Sequence, residues 1–306
     1  MKKLIVKLSL LLITYLFSDL MIGQFLDILL KNVSSGKYFE TKYVMEKCDA
    51  NIVIFGSCEA ETDIVPQIIE DSLNKTCYNT ATPGQTIQHL LCLEKSITNR
   101  YAPEIAILVV NEDFLSAQYN DYEVGYLRPF YSSHKEIRPI IDKISSYERF
   151  FNYSSLYAYN SSFYYLLKPF IKKDEDSNIK IANKGWEPSE EIIEMDSEPI
   201  TINNFSKLNY QTVSLFDEFT SDLTSKGCKV FVVIPPIFNK NVNNSSSIEY
   251  IKTKKSIHLL DYKDNIIFTE NSHFYSSYQY LTDLNIEGAT KFTNLILTKI
   301  KKLIDN

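Results

Sequence analysis

The chain has 306 residues, 44% apolar and 23% charged, which is enough to bury a sizeable core and too apolar for a disordered polymer. A formal net charge of −6 argues against a broad nucleic-acid-binding face. Eight glycines exclude collagen-like architectures, and the aromatic content is skewed, with 21 Tyr and 18 Phe against one Trp.

The first predicted element is apolar. Lys2, Lys3 and Lys7 precede an apolar run from Leu8 to Phe17, and apolar residues continue to Leu30, interrupted by Asp19 and Asp27. A basic start before an apolar stretch has the form of a signal peptide or signal anchor. No alanine occurs before Ala50, which removes the usual A-x-A cleavage box, and Cys48 lies too far downstream for a lipidation box. The run is long enough to cross roughly 30 Å of hydrocarbon. The sequence therefore predicts an uncleaved anchor over residues 1–31, lysines cytoplasmic and the remainder exported. The two aspartates oppose this, since carboxylates inside a bilayer are costly. The alternative is an amphipathic helix lying on the domain or on the membrane surface.

Residues 32–306 read as one α/β domain. Ala50 to Phe55 is a β-branched apolar run, the pattern of a buried parallel strand, and it ends at Gly56-Ser57-Cys58. Val65, Ile68, Ile69 and Leu73 follow at helical spacing with Pro66 suited to a first turn. A short strand near Cys77 to Asn79 leads to a loop with Pro83-Gly84, then a helix with Thr86 as a candidate cap. Ile105 to Val110 is a further strand, stopped by Asn111-Glu112-Asp113. Residues from about 115 to 208 are Tyr-, Ser- and Asn-rich and read as an insertion or cap. The rhythm resumes with a helix closed by Gly227, a strand from Lys229 to Ile234, a last short strand at Ile266 to Phe268, and a helix carrying Phe292, Leu295, Ile296 and Ile300. The β-α-β-α-β opening predicts a doubly wound sheet.

Ligands in such sheets bind at the carboxyl ends of the strands. Three ends here carry polar residues: Gly56-Ser57-Cys58, the loop through Gly84, and Asn111-Glu112-Asp113. Nucleotide-binding glycine motifs and the G-x-S-x-G elbow are absent, so no cofactor is implied. Cys48, Cys58, Cys77, Cys92 and Cys228 show no metal spacing; apart from Cys58 they read as small apolar residues.

The segments IVIFGSCEAE, YNTATPGQTI, ILVVNEDF and YLTDLNIEGATKFT, in this order and spacing, resemble the blocks of the SGNH/GDSL hydrolase superfamily. More narrowly they resemble bacterial membrane-anchored envelope members, to which LYAYNS, GWEP and KVFVVIPPIF are also similar. The resemblance implies a three-layer α/β/α fold with a mainly parallel, flavodoxin-like sheet. It also implies an ester hydrolase or O-acyltransferase acting on an acylated cell-envelope carbohydrate or a small ester. By this alignment Cys58 stands at the nucleophile position beside Ser57, Gly84 and Asn111 at oxyanion-donor positions, Asp283 where the histidine base belongs, and Tyr280 where its orienting aspartate belongs. The usual Ser, His and Asp are thus absent from their positions.

The chemistry of the substitutes is unfavourable. A thiol attacks only as thiolate, which the neighbouring Glu59 and an opposing Asp283 would repel. Aspartate is also a weak base. His89, His134 and His258 lack a site pattern, whereas Glu270-x-x-His273 repeats an acid-x-x-His spacing upstream, which makes His273 the candidate substitute base. Two readings stand: an active enzyme using Cys58 with Asp283 or His273, or a degenerate scaffold that binds an envelope glycan or a protein partner. Tyr119, Tyr122, Tyr126, Phe130 and Tyr131 likewise read either as sugar-stacking rings or as core of the insertion.

Overall fold

The computed structural model describes residues 2–116, 124–160, 162–171, 180–192, 200–202, 207–238, 240–242, 245–263, 266–268, 271–278 and 281–304. The chain divides into two compact units, Met1–Tyr43 with Asp121–Asn178, and Val44–Asn120 with Ile179–Asn306. The stretch read as an insertion is therefore shared. Residues 121–178 join the N-terminal helix, and the segment from 179 onward belongs to the α/β unit.

The α/β unit is built on a five-stranded parallel sheet. Its strands are β1 (Ile52–Phe55), β2 (Cys77–Asn79), β3 (Ile105–Val109), β5 (Lys229–Ile234) and β7 (His258–Asp261), in the order β2-β1-β3-β5-β7. Counted within the sheet this is 2-1-3-4-5, a doubly wound order. Two further pairs stand apart: parallel β4 (Ile200–Ile202) with β6 (Lys240–Val242), and antiparallel β8 (Phe274–Tyr278) with β9 (Leu281–Leu284). The expected strand at Ile266 to Phe268 is instead a 3-10 turn, and β7 fills the sheet's last place.

Burial on both faces explains the unbroken apolar runs. Ile52, Ile54, Ile107, Phe231 and Val233 share a core with α3 (Cys58–Asp63), α4 (Pro66–Leu73) and the last helix, here α12 (Ile286–Ile304), through Ala60, Ile69, Phe292 and Ile296. The alternate residues Val53, Phe55, Ala106, Leu108 and Val232 are equally buried. On that side Phe55 meets Phe219 of α10 (Tyr210–Ser225) edge-on at 5.2 Å, and Lys95 of α5 (Ile87–Thr98) binds Asp222 of α10 at 3.0 Å. Each fully buried large side chain contributes about 1.5–3 kcal/mol of transfer free energy. Thr86 does take the N-cap place of α5, but its hydroxyl makes no capping bond.

The other unit is organised by α1 (Lys2–Asn32), which is long and apolar enough to cross a membrane, with a mean hydropathy of 1.9 in its best window. Its first half is bare on all sides, and from Asp19 onward one stripe, Asp19, Gly23, Leu26 and Leu30, is buried. The four positions lie on one helical face by spacing. They meet α8 (Ser155–Ala158) and α9 (Phe163–Ile171), which follow α6 (Arg138–Ile141) and α7 (Glu148–Phe151) in the chain. Asp19 accepts hydrogen bonds from Ser154 Oγ at 2.7 Å, Ser155 N at 3.1 Å and Leu156 N at 2.9 Å, so it serves the start of α8. Asp27 accepts from the Tyr159 hydroxyl. A Cβ on Gly23 would stand 2.0 Å from Ser155 Cβ, so glycine permits the close crossing. The two carboxylates that counted against an apolar span therefore have partners built for them. Of the five aromatics singled out above, Tyr119 and Tyr122 lie outside the described residues. Tyr126 and Phe130 pack on Tyr38, and the Tyr131 hydroxyl donates to Asp142 at 2.8 Å, which is the packing reading.

Candidate functional site

The carboxyl ends of β1, β2 and β3 converge. Gly56, at φ +154°, ends β1; a Cβ there would lie 2.4 Å from Ala60 Cβ and 2.8 Å from the Val109 carbonyl oxygen. Only glycine lets the turn into α3 pass this close to β3. Ser57 follows, and its hydroxyl accepts the Gly84 N–H at 3.0 Å. Gly84 sits at φ +80° after Pro83, the backbone of a turn that favours glycine. Cys58 opens α3, and its thiol donates to Glu59 Oε2 at 3.4 Å, with Ser57 Oγ 4.0 Å from the sulfur. Asn111, just past β3, donates from Nδ2 to Glu59 Oε1 at 3.4 Å. Ser57, Cys58, Gly84 and Asn111 are thus joined through one another and Glu59.

Asp283 lies on β9, opposite Tyr275 of β8, and is buried. It acts on the thiol from there: burial first, then the charges of Glu59 and Asp283, push the Cys58 thiol well above its ordinary range. Asp63, at the end of α3, is buried beside Asp283. Its Oδ1 accepts from Leu284 N at 2.9 Å and Thr62 Oγ1 at 2.8 Å. Burial first, then the Asp283 charge, nevertheless raise the Asp63 carboxyl well above the usual carboxylate range. The same carboxylates, after burial itself, raise the Tyr275 phenol. An acidic, partly dry shell surrounds the thiol on the α3 and β9 side.

A segment 120 residues away in sequence closes over α3. Lys180 pairs with Glu61, the Trp186 indole donates to the Thr62 carbonyl at 2.7 Å, and Glu187 N donates to the Glu61 carbonyl at 3.2 Å. Gly185, at φ +84°, presses on β2: an added Cβ would fall 1.8 Å from the Asn79 carbonyl oxygen. The GWEP run is the covering strip that this close approach requires. Sequence reasoning missed Glu61, Asp63, Lys180 and Tyr275. The clustered acids of CEAETD were the available signal.

His273 is placed differently. The residue is 3% exposed; its ring takes the Lys291 ammonium at Nε2 at 3.1 Å, has Glu287 Oε1 3.8 Å away, and meets Phe268 edge-on. Its Nδ1 makes no hydrogen bond among the described residues. It belongs to the packing of α12, where a Cβ on Gly288 would press on its carbonyl at 2.3 Å. Glu270 and Tyr280 lie outside the described residues. His258 stacks on Phe231, His134 bonds Ser133, and His89 is buried in α5. Cys48, Cys77, Cys92 and Cys228 are buried thiols, as expected of small apolar residues. No cluster of His, Cys, Asp and Glu able to hold a metal ion occurs among the described residues.

No family model matches the chain, and no match is found among curated proteins.

Proposed function

We propose that this protein is a membrane-tethered, three-layer α/β/α domain of SGNH type that binds an acylated carbohydrate of the bacterial envelope without turning it over. The observation that carries this reading is the setting of Cys58: its thiol is held protonated by burial and by Glu59 and Asp283. Acyl transfer needs a nucleophile with a base in reach. Here the groups acting most strongly on the nucleophile position are carboxylates that oppose its ionisation. The lysines that precede the apolar run of α1 support placing the domain on the extracytoplasmic side. The acidic shell favours a neutral or amine-bearing sugar over a polyanionic one.

The test is direct. The wild-type protein and Cys58→Ala are compared on p-nitrophenyl acetate and titrated with O-acetylated and de-O-acetylated chitooligosaccharide by calorimetry. Equal, buffer-level hydrolysis with binding of the acetylated oligosaccharide is expected. A burst of nitrophenolate abolished by Cys58→Ala would overturn the reading. A second reading, an active thiol or serine esterase, draws on the Gly84 N–H that reaches the Ser57 hydroxyl beside Cys58, the donor that an oxyanion needs.

A further inference from the structure

We propose that the unit carrying α1 is seated in the lipid headgroup layer by an aromatic collar, the outward faces of α7 and α9 with Tyr147 and Tyr153 beside α7. The inference rests on reading α1 as a membrane span. It starts from where apolar surface is left bare. Of twenty-eight exposed large hydrophobic side chains among the described residues, twenty-five belong to this unit, although it is the smaller of the two. Sixteen of them are on α1, and the other nine fall between residues 147 and 171. Tyr147, Phe150, Tyr153, Tyr164, Phe170 and Ile171 are representative; Phe150 is 70% exposed and Ile171 85%. A patch of this kind marks a membrane or a partner.

Three observations favour the membrane. The first is length. From Leu4 to Phe17 α1 is bare all round, which at 1.5 Å per residue gives only about 21 Å, short of the roughly 30 Å of hydrocarbon. To complete a span, α1 must enter the bilayer beyond Asp19, where Leu20, Met21, Phe25 and Ile28 still offer a bare apolar face. The second is attachment. At that level the other face of α1 is joined to residues 154–159 through Asp19 and Asp27, so what enters with α1 brings α8 and its neighbours to the boundary. The third is composition. Between residues 147 and 171 only Glu148, Arg149 and Lys168 are charged; Glu148 is buried against Arg128, and the two exposed charges are cationic. Rings with a polar edge and cations suited to phosphate form the side-chain set of the membrane–water interface.

The test places tryptophan probes in the full-length protein, reconstituted in phosphatidylcholine vesicles brominated at acyl carbons 6 and 7 or 11 and 12. The variants are Phe150→Trp, Ile171→Trp and, within α1, Leu11→Trp; the wild-type signal of Trp186 is subtracted. Expected is a loss of at least half the added fluorescence for Phe150→Trp and Ile171→Trp with the shallow bromines. Leu11→Trp should be quenched most by the deep ones. If Leu11→Trp is quenched while the other two are untouched at either depth, α1 spans but the collar does not exist, and the face belongs to another copy or a protein partner. If all three are untouched, the span reading itself fails and the collar falls with it.

Discussion

Glu94 offers the sharpest test of the electrostatics in the α/β unit. It is fully buried on α5 and faces Asp222 of α10, with Lys95 and Lys226 nearby. Burial first, then the hydrogen bond to Asp222 and its charge, push the Glu94 carboxyl up from 4.5 to about 8 against the opposing lysines. Asp222 is the converse: burial would raise it, but hydrogen bonds from Lys226, Glu94 and Lys95 outweigh burial and hold it at about 2. At neutral pH, protonated Glu94 therefore donates to ionised Asp222. Between 4.5 and about 8 the folded state keeps a proton that the unfolded chain has released, so stability falls as pH rises, by about 1.4 kcal/mol per pH unit. From pH 6 to 7.5 the loss is about 2 kcal/mol, or about 4–8 °C in melting temperature for a unit of this size. Asp222 adds nothing in that window, since its stabilisation is lost only as pH falls below about 4 toward 2. Glu94→Gln keeps an acceptor for the Thr98 hydroxyl and a permanent donor for Asp222 while removing the proton. The assay is thermal unfolding of both proteins in detergent, followed by circular dichroism from pH 5.5 to 8.5. The wild type should lose stability steadily, and the variant less steeply, ending more stable at pH 8.5. Melting temperatures that run parallel at every pH would show that Glu94 is ionised in the folded protein and refute the argument.

Three other outcomes follow from the site. Alkylation of Cys58 by iodoacetamide at pH 8 should be about tenfold or more slower than that of a free thiol, and faster in Glu59→Gln, as read by mass spectrometry after a timed quench. Asp63→Asn retains the acceptor for Leu284 N and Thr62 and should leave the melting temperature close to wild type or above it at pH 8. Asp63→Ala strands that buried N–H at a cost of about 1–3 kcal/mol in chemical unfolding. Gly56→Ala forces a Cβ against Ala60 and the Val109 carbonyl and should cost more than about 3 kcal/mol, seen as loss of folded protein in gel filtration.

Strands β1, β3 and β5 were legible because residues buried on both faces leave an uninterrupted apolar run. β7 was not: of His258–Asp261 only Leu260 is buried, and a half-exposed edge strand leaves no such run, whereas the apolar Ile266–Phe268 imitates one. The gathering of Ser57, Cys58, Gly84 and Asn111 was legible for a topological reason, since consecutive parallel strands deliver their carboxyl ends to one edge. The acidic shell was not, because Asp63 meets Asp283 and Glu61 meets Lys180 across more than a hundred residues, with no periodic pattern linking them. The acid-x-x-His spacing carries no information on the neighbours of His273, whose ring meets Lys291 and Phe268 in the packing of α12. Asp19 and Asp27 looked like defects in an apolar helix because the hydroxyls and amides that answer them lie some 130 residues later.

Those two aspartates have a mechanical consequence. A featureless apolar span is free to spin about its own axis, and its azimuth carries no information. Asp19 and Asp27, eight residues apart on one side of α1, are each bonded to the 154–159 segment, with Gly23 seated against Ser155 between them. Turning α1 by even a quarter would break four hydrogen bonds and drive a bulkier residue into the Gly23 crossing. α1 thus behaves as a keyed shaft. A polyleucine helix of equal length would keep its reach and lose its phase.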